Sequence, residues 1–335
     1  MNKRERVMAA IRGEPVDRVP FSFWLHNFVE ENSARALADE TVRLYEKFDW
    51  DFLKPQSRPY CFGQLWGLEY EYSKDRAAFP TITKHVLDNV EEINQLPKAD
   101  PTVGALAEQI EAYKMVRARV GDDVPIVATI FSPMMTATFM AENGATEIVR
   151  LMRERPDVLE EGLSIITDAF VSYARMCVDN GLDGIFYATT TATRYQMTPG
   201  EFERFQAPFD KAILGAASAA PFNIMHMCGE QILADSFVDY PVDVFSWATT
   251  AGNPSLSEMH NKTGRAVLGG LPGKPAIGTM AEQALREKAV RSLKEMNGKY
   301  HLLGPDCSIN PDTPDALMQA VGDLVKSGAG GKGQP

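Results

Sequence analysis

His226 and Cys228 stand two residues apart in Asn223-Ile224-Met225-His226-Met227-Cys228-Gly229-Glu230. In an extended strand, residues i and i+2 project from the same side. An imidazole and a thiol therefore share one face. Zinc accepts nitrogen and sulfur together, so the pair is half of a metal site. The chain has four cysteines, Cys61, Cys177, Cys228 and Cys307. Cys307 lies in the Pro/Asp-rich turn Gly304-Pro305-Asp306-Cys307-Ser308-Ile309-Asn310-Pro311-Asp312-Thr313-Pro314, directly after an apolar run. Three protein ligands leave a fourth position open for chemistry. These residues predict a catalytic zinc held by His226, Cys228 and Cys307. The plainer alternative makes each thiol a small buried hydrophobe and the histidine a satisfied polar group. Position in the fold decides between them.

The elements that must position these residues follow from the apolar runs. Short apolar strands are predicted at Val19–Leu25, Phe52–Pro55, Val124–Phe131, Leu182–Ala188, Phe222–Met227, Val242–Trp247, Ala266–Leu271 and Tyr300–Gly304. Helices are predicted over 3–12, 32–48, 91–119, 134–142, 144–153, 156–180, 199–219, 255–262, 280–297 and 313–326. Apolar strands without polar alternation suit a parallel sheet covered on both faces. Eight strands alternating with helices predict an α/β fold, a single (β/α)8 TIM barrel with an N-terminal helix. The other arrangement, a doubly wound open sheet, lacks its Gly-x-Gly-x-x-Gly and P-loop signatures here. Residues 57–90, after the second strand, are aromatic-rich (Tyr60, Phe62, Trp66, Tyr70, Tyr72) and read as an insertion with a small hairpin, a lid or binding loop. One domain is expected over 1–327, with a disordered tail at 328–335. In a barrel, chemistry sits at the C-terminal strand ends. His226 and Cys228 end strand five and Cys307 follows strand eight, so all three face one mouth. Core packing alone does not predict that coincidence.

Composition bounds the function. The chain of 335 residues carries a net charge of −11, with 34 basic and 45 acidic side chains. That balance argues against nucleic acid or an anionic membrane surface as partner. No apolar stretch is long enough to span a bilayer, and the charged N-terminus leads into an amphipathic pattern rather than a signal peptide. Four unclustered cysteines suit a reducing compartment, so a cytoplasmic protein is expected.

Arg4-Glu5-Arg6-Val7 through Asp17-Arg18-Val19-Pro20, the Gly184-Ile185-Phe186-Tyr187-Ala188 strand and Gly269-Gly270-Leu271 are similar to segments of the uroporphyrinogen decarboxylase superfamily. The resemblance runs over nearly the whole chain. His226-x-Cys228-Gly229 and Gly304-Pro305-Asp306-Cys307 through Pro314 resemble one branch of it, the zinc-dependent methyltransferases that take a methyl group from a methylated corrinoid protein. In that branch the zinc motif is His-x-Cys and a distant Cys. True decarboxylases of this superfamily carry an Arg-rich Arg-Gln-Ala-Gly-Arg segment after the first strand, where this chain has Trp24-Leu25-His26-Asn27-Phe28. Their essential Asp after strand two has no clear counterpart in Leu53-Lys54-Pro55-Gln56.

The resemblance thus implies methyl transfer from methylcobalamin, held by a partner corrinoid protein, to a zinc-activated thiol or to tetrahydrofolate. The chain has no Asp-x-His-x-x-Gly corrinoid motif of its own. The alternatives are a lyase acting on a carboxylated substrate and a non-enzymatic barrel that binds corrinoid or metal. A homodimer is compatible with either. Glu230, two residues past Cys228, is a candidate fourth ligand, or else an acid in the first turn of a helix. His26 and Tyr187, at the ends of strands one and four, Lys54 after strand two and Asn253 after strand six are candidate substrate contacts. Tyr60 and Trp66 are candidates for a hydrophobic lid or docking face.

Overall fold

The computed structural model describes residues 1–250, 252–274 and 276–328. Six parallel strands form one sheet in chain order: β3 (Val127–Phe131), β4 (Gly184–Thr189), β5 (Ile224–Met227), β6 (Val244–Trp247), β7 (Ala266–Leu271) and β8 (His301–Pro305). The first two staves of the barrel are extended segments joined by single bridges. Leu303 N donates to Pro20 O at 2.9 Å and Ser22 N to Leu303 O at 3.1 Å. Asp51 N donates to Phe21 O at 2.9 Å, and Val127 N to Leu53 O at 3.0 Å. The ring is therefore closed through eight staves as a TIM barrel. The strands expected at Val19–Leu25 and Phe52–Pro55 shrink to bridges because Pro20 and Pro55 have no N–H to give to a ladder.

β1 (Glu69–Glu71) and β2 (Thr81–Lys84) form the antiparallel hairpin of the insertion. The helices are α1 (Lys3–Ile11), α2 (Ala34–Phe48), α3 (Gly104–Val120), α4 (Pro133–Met140), α5 (Gly144–Glu154), α6 (Pro156–Asp179), α7 (Pro199–Phe205), α8 (Ala207–Ala216), α9 (Leu256–Thr263), α10 (Ala276–Thr279), α11 (Glu282–Glu295) and α12 (Asp315–Lys326). Local signals set several of their ends. Asn2 and Glu5, Thr198 and Glu201, and Ser255 and Glu258 close reciprocal capping boxes at α1, α7 and α9. Two expected helices are shorter than the periodicity suggests. The one read over 91–119 is a tight turn at Val90–Gln95 followed by α3, because Pro97 and Pro101 interrupt it. The one read over 199–219 breaks at Gln206 into α7 and α8, because Pro208 cannot donate back into the preceding turn. Beyond Gly328, the expected tail lies outside the described residues.

Alternation along the strands sorts side chains into two cores. Trp24, Phe52, Val127, Phe186, Phe222, Ile224, Leu268 and Leu302 fill the barrel interior, with Val7 of α1 closing its floor. Tyr187, Met225, Met227 and Phe245 point outward into the helix layer. The floor is tied by charge. Asp51, with no exposed surface, accepts from Arg6 Nη1 at 2.8 Å, Arg18 Nη2 at 2.9 Å and Phe21 N at 2.9 Å. A carboxylate this buried is tolerable only when paired and fully hydrogen-bonded, and here it fixes the first two staves. Among the described residues no helix is long and apolar enough to cross a membrane.

Candidate metal centre

The inward parity of Phe222 and Ile224 carries on to His226 and then Cys228. His226 pairs in register with Ala188 of β4 and Ser246 of β6. Ser246 Oγ lies 3.1 Å from His226 Nδ1. The Phe186 ring tilts over the imidazole with centroids 5.0 Å apart. Cys228 extends the ladder by one bond, its N–H donating to Thr189 O at 2.9 Å. Gly229 then turns the chain at φ 117°, a conformation that favours glycine. On the opposite side, Asp306 N donates to Leu271 O at 2.9 Å and Ile309 N to Trp24 O at 3.0 Å. These bonds hold the loop that carries Cys307 across the mouth. Gly273 lets the loop after β7 approach, since a Cβ there would lie 3.2 Å from Cys307 N.

One donor atom each from His226, Cys228 and Cys307 lies within 4.8 Å of the other two. The sulfurs of Cys228 and Cys307 are 3.9 Å apart and unlinked. His226 Nε2 is buried and has no hydrogen-bond partner, although its ring is only 3% exposed. Buried polar atoms are rarely left unpaired. An orphaned imidazole nitrogen beside two thiols is the donor set that zinc takes, so the residues present fit such an ion. The thiol pair is electrostatically asymmetric. Hydrogen bonding with Cys228 holds Cys307 well below the ordinary thiol range despite burial, with His226 and Lys54 adding to the effect. The same contact, together with burial, pushes Cys228 up. The other cysteines are inert by comparison, and burial pushes the Cys61 thiol up to about 12.

The triad opens into a cavity of about 290 Å³. Lys54, His26 and Lys274 line it with Trp24, Phe79 and Phe186. Burial pushes Lys54 down to about 8, partly offset by Cys307 and Glu31. Its Nζ bonds to Gln56 Oε1 and stands 4.9 Å from the Phe186 ring centroid. His26 Nδ1 lies 2.9 Å from Glu31 Oε2 and its ring stacks on Phe28 at 4.6 Å. The insertion folds over this mouth. Phe28 N donates to Arg76 O at 3.1 Å, Arg76 Nη2 donates to Pro311 O at 2.8 Å, and Phe79 lies in the wall. The wall contains no arginine among the described residues.

Four sequence candidates lie elsewhere. Tyr187 does not enter the mouth. Register places Phe186 and Ala188 inward, so Tyr187 points outward and its hydroxyl donates to Asp210 on α8. Asn253 does not reach the cavity. Its Nδ2 donates to Gly229 O and Ala248 O, each at 2.9 Å, and its Oδ1 accepts from Ile232 N at 3.0 Å. It staples the turn after Cys228 to the loop after β6. Glu230 is exposed and outside the donor cluster, turned away by Gly229. Trp66 packs on Phe170, behind the mouth, whereas Tyr60 lines the cavity. Sequence reasoning missed Ser246, Gln56 and Lys274. Ser246 was readable in principle, as the residue in register with His226.

A closed parallel barrel with a His-Cys-Cys cluster at the C-terminal strand ends defines a TIM-barrel protein with its candidate chemistry at the mouth. The chain belongs to the uroporphyrinogen decarboxylase (URO-D) family, whose model matches residues 2–328. It is similar to "Methylcobamide:CoM methyltransferase MtbA" of Methanosarcina acetivorans, 24% identical over 97% of each chain. It is also similar to "Methylcobamide:CoM methyltransferase MtaA" of Methanosarcina barkeri, 26% identical over 95% of this chain and 96% of the relative. Among solved structures, a methyltransferase from Methanosarcina mazei superposes with a TM-score of 0.85 at 20% identity, covering 98% of this chain and 99% of that one.

Proposed function

We propose that this chain is a zinc-dependent methyltransferase that moves a methyl group from a methylated corrinoid, carried by a partner protein, to an acceptor thiol. The observation that carries the reading is the convergence of His226, Cys228 and Cys307 at the mouth, with Nε2 of His226 left unpartnered. The relatives named for methylcobamide and CoM support the donor and the thiol class.

A zinc ion held by these residues would supply the Lewis acidity that keeps an acceptor thiol deprotonated near neutral pH. The chain's own residues do the rest. Ser246 holds the His226 ring by its Nδ1, so that Nε2 presents its lone pair. Lys54 brings a buried positive charge to the side of the Cys307 thiolate. Trp24, Phe79 and Phe186 exclude water around the reacting sulfur. In the transfer the acceptor thiol loses its proton to solvent and its sulfur pair forms the S–CH3 bond. The cobalt–carbon electron pair stays with the corrinoid. The absence of arginine in the cavity wall among the described residues tells against the decarboxylase reading, since a polycarboxylate calls for bidentate cations.

The test is metal content, followed by methyl transfer. The full chain purified without chelator and supplied with zinc retains about one ion per chain, and Cys307→Ser loses it or binds it far more weakly. The loaded protein then demethylates methylcobalamin in the presence of a thiol, followed by the change in corrinoid absorbance. Tetrahydrofolate, the other acceptor that the family resemblance implies, is assayed alongside. A wild-type chain that stays metal-free under these conditions removes the reading.

A further inference from the structure

The cavity extends well beyond the three donor atoms. At about 30 Å³ per water, its volume of about 290 Å³ is that of several waters, more than a bare thiol group needs. The space runs away from Cys307 towards the ends of β3 and β4. There it is walled by Tyr60, Phe131, Met135 and Phe139. These rings are continuous: Tyr60 lies 5.8 Å from Phe139, and Phe139 6.0 Å from Phe131, centroid to centroid. Tyr60 holds its place from a left-handed backbone, φ 60°, which a bulky non-glycine residue adopts only when its surroundings impose it. In the same lining, the Thr129 hydroxyl is already engaged, its Oγ1 donating to Pro55 O at 3.4 Å. A cavity that joins such an apolar wall to a reactive cluster is the form of a site for a ligand with a hydrophobic body and a single reactive terminus.

We propose, resting on the methyl-transfer reading, that the natural acceptor is a thiol bearing an aromatic-sized apolar body. The body seats on the Tyr60–Phe131–Met135–Phe139 wall and the sulfur reaches the His226–Cys228–Cys307 cluster. The wall thereby sets acceptor specificity. The chemistry is unchanged: the S–CH3 bond forms as the cobalt–carbon bond breaks, and the thiol proton goes to solvent.

Two primary thiols that differ only in this body test it, ethanethiol and 2-phenylethanethiol, with methylcobalamin as donor and the zinc-loaded full chain. Burying a phenyl-sized apolar surface predicts a kcat/KM about fiftyfold higher for 2-phenylethanethiol. In Phe139→Ala, a half-buried position, that ratio falls by about tenfold. A second readout needs neither metal nor turnover. Saturation-transfer NMR on the metal-free chain detects 2-phenylethanol but not ethanol, and the signal weakens in Phe139→Ala. Equal kcat/KM for the two thiols, or no saturation transfer to 2-phenylethanol, overturns the inference and leaves the methyl-transfer reading standing. Methylation of tetrahydrofolate while both thiols fail also overturns it. A chain that binds no zinc and methylates neither thiol takes both readings down.

Discussion

Replacing Ser246 by alanine removes one buried hydroxyl and leaves all three donor atoms of the cluster in place. Ser246 has no exposed surface, and its Oγ lies 3.1 Å from His226 Nδ1. If Nε2 holds the metal, Nδ1 must carry the proton and Ser246 Oγ must accept it. The alanine variant leaves that N–H buried without a partner, because His226 is only 3% exposed and water has little access. A buried donor left unpaired costs roughly 1–3 kcal/mol. At about 1.4 kcal/mol per tenfold, that is roughly a five- to hundredfold weaker zinc affinity, in line with the usual effect of losing a partner that orients a histidine ligand. The affinity is read by competition with a chromogenic chelator at fixed pH, for wild type, Ser246→Ala and Cys307→Ser. Circular dichroism of the metal-free proteins checks that each remains folded. The expected order is wild type tightest, Ser246→Ala intermediate and Cys307→Ser weakest. A folded Ser246→Ala chain with wild-type affinity refutes the reasoning. It would mean that Nδ1 is the coordinating atom, or that His226 is no ligand.

Asn253 and Glu230 separate two roles that the sequence left mixed. Asn253→Ala strips two hydrogen bonds from the turn that follows Cys228 and one from the loop after β6, so it lowers stability by about 1–3 kcal/mol and loosens zinc retention. Glu230→Gln, at an exposed position outside the cluster, leaves the zinc content unchanged; thermal unfolding and metal analysis read both, and zinc loss in Glu230→Gln would restore it as a ligand. A pH effect comes from Asp210, which burial raises to about 7 while Tyr187, Gln206 and Tyr240 bond it. The unfolded carboxyl titrates near 3.9, so the folded chain holds the proton longer. The stabilisation is complete below about pH 4 and lost as pH rises through about 7, a change of order 4 kcal/mol at most. Urea unfolding at pH 5 and pH 7.5 should show this loss in wild type and a smaller one in Asp210→Asn; identical slopes would remove Asp210 as the cause.

What the sequence made legible follows from which facts are local. β3 to β8 read directly because each is a short run of apolar residues between turn signals. His226, Cys228 and Cys307 followed from strand parity and from the barrel rule that puts chemistry at C-terminal strand ends. The first two staves were overread, since Pro20 and Pro55 each remove a donor that a regular ladder needs. Tyr187 was misplaced for a reason of parity. Once His226 faces inward, its register partner Ala188 does too, and Tyr187 must face out to Asp210. Register between strands is a non-local fact and no single strand carries it. Asn253 and Glu230 depended on the turn that Gly229 makes at positive φ. Residues 57–90 have no period to read, so their aromatic content suggested a lid or binding loop but not which rings would face the cavity; Tyr60 and Phe79 line it and Trp66 packs on Phe170.

The charge balance of the mouth joins these observations. The chain is acidic overall, yet among the described residues its cavity wall carries Lys54 and Lys274 and no arginine. Lys54 is buried deeply enough to be pushed down to about 8, and Cys307 and Glu31 oppose that shift. Its charge is thus favoured most when the sulfur beside it is a thiolate. An isolated buried cation in an aromatic-walled pocket would shed its proton; one that faces the Cys307 thiolate has reason to keep it. Lys54 also lies 4.9 Å from the centroid of Phe186, the ring that covers His226. Cation and imidazole therefore both neighbour the Phe186 ring beside the donor cluster. A decarboxylase pocket for several carboxylates would need forked donors spread over its wall. Point charges close to the sulfurs, with apolar rings beyond, suit a site that stabilises anionic sulfur and holds little other charge.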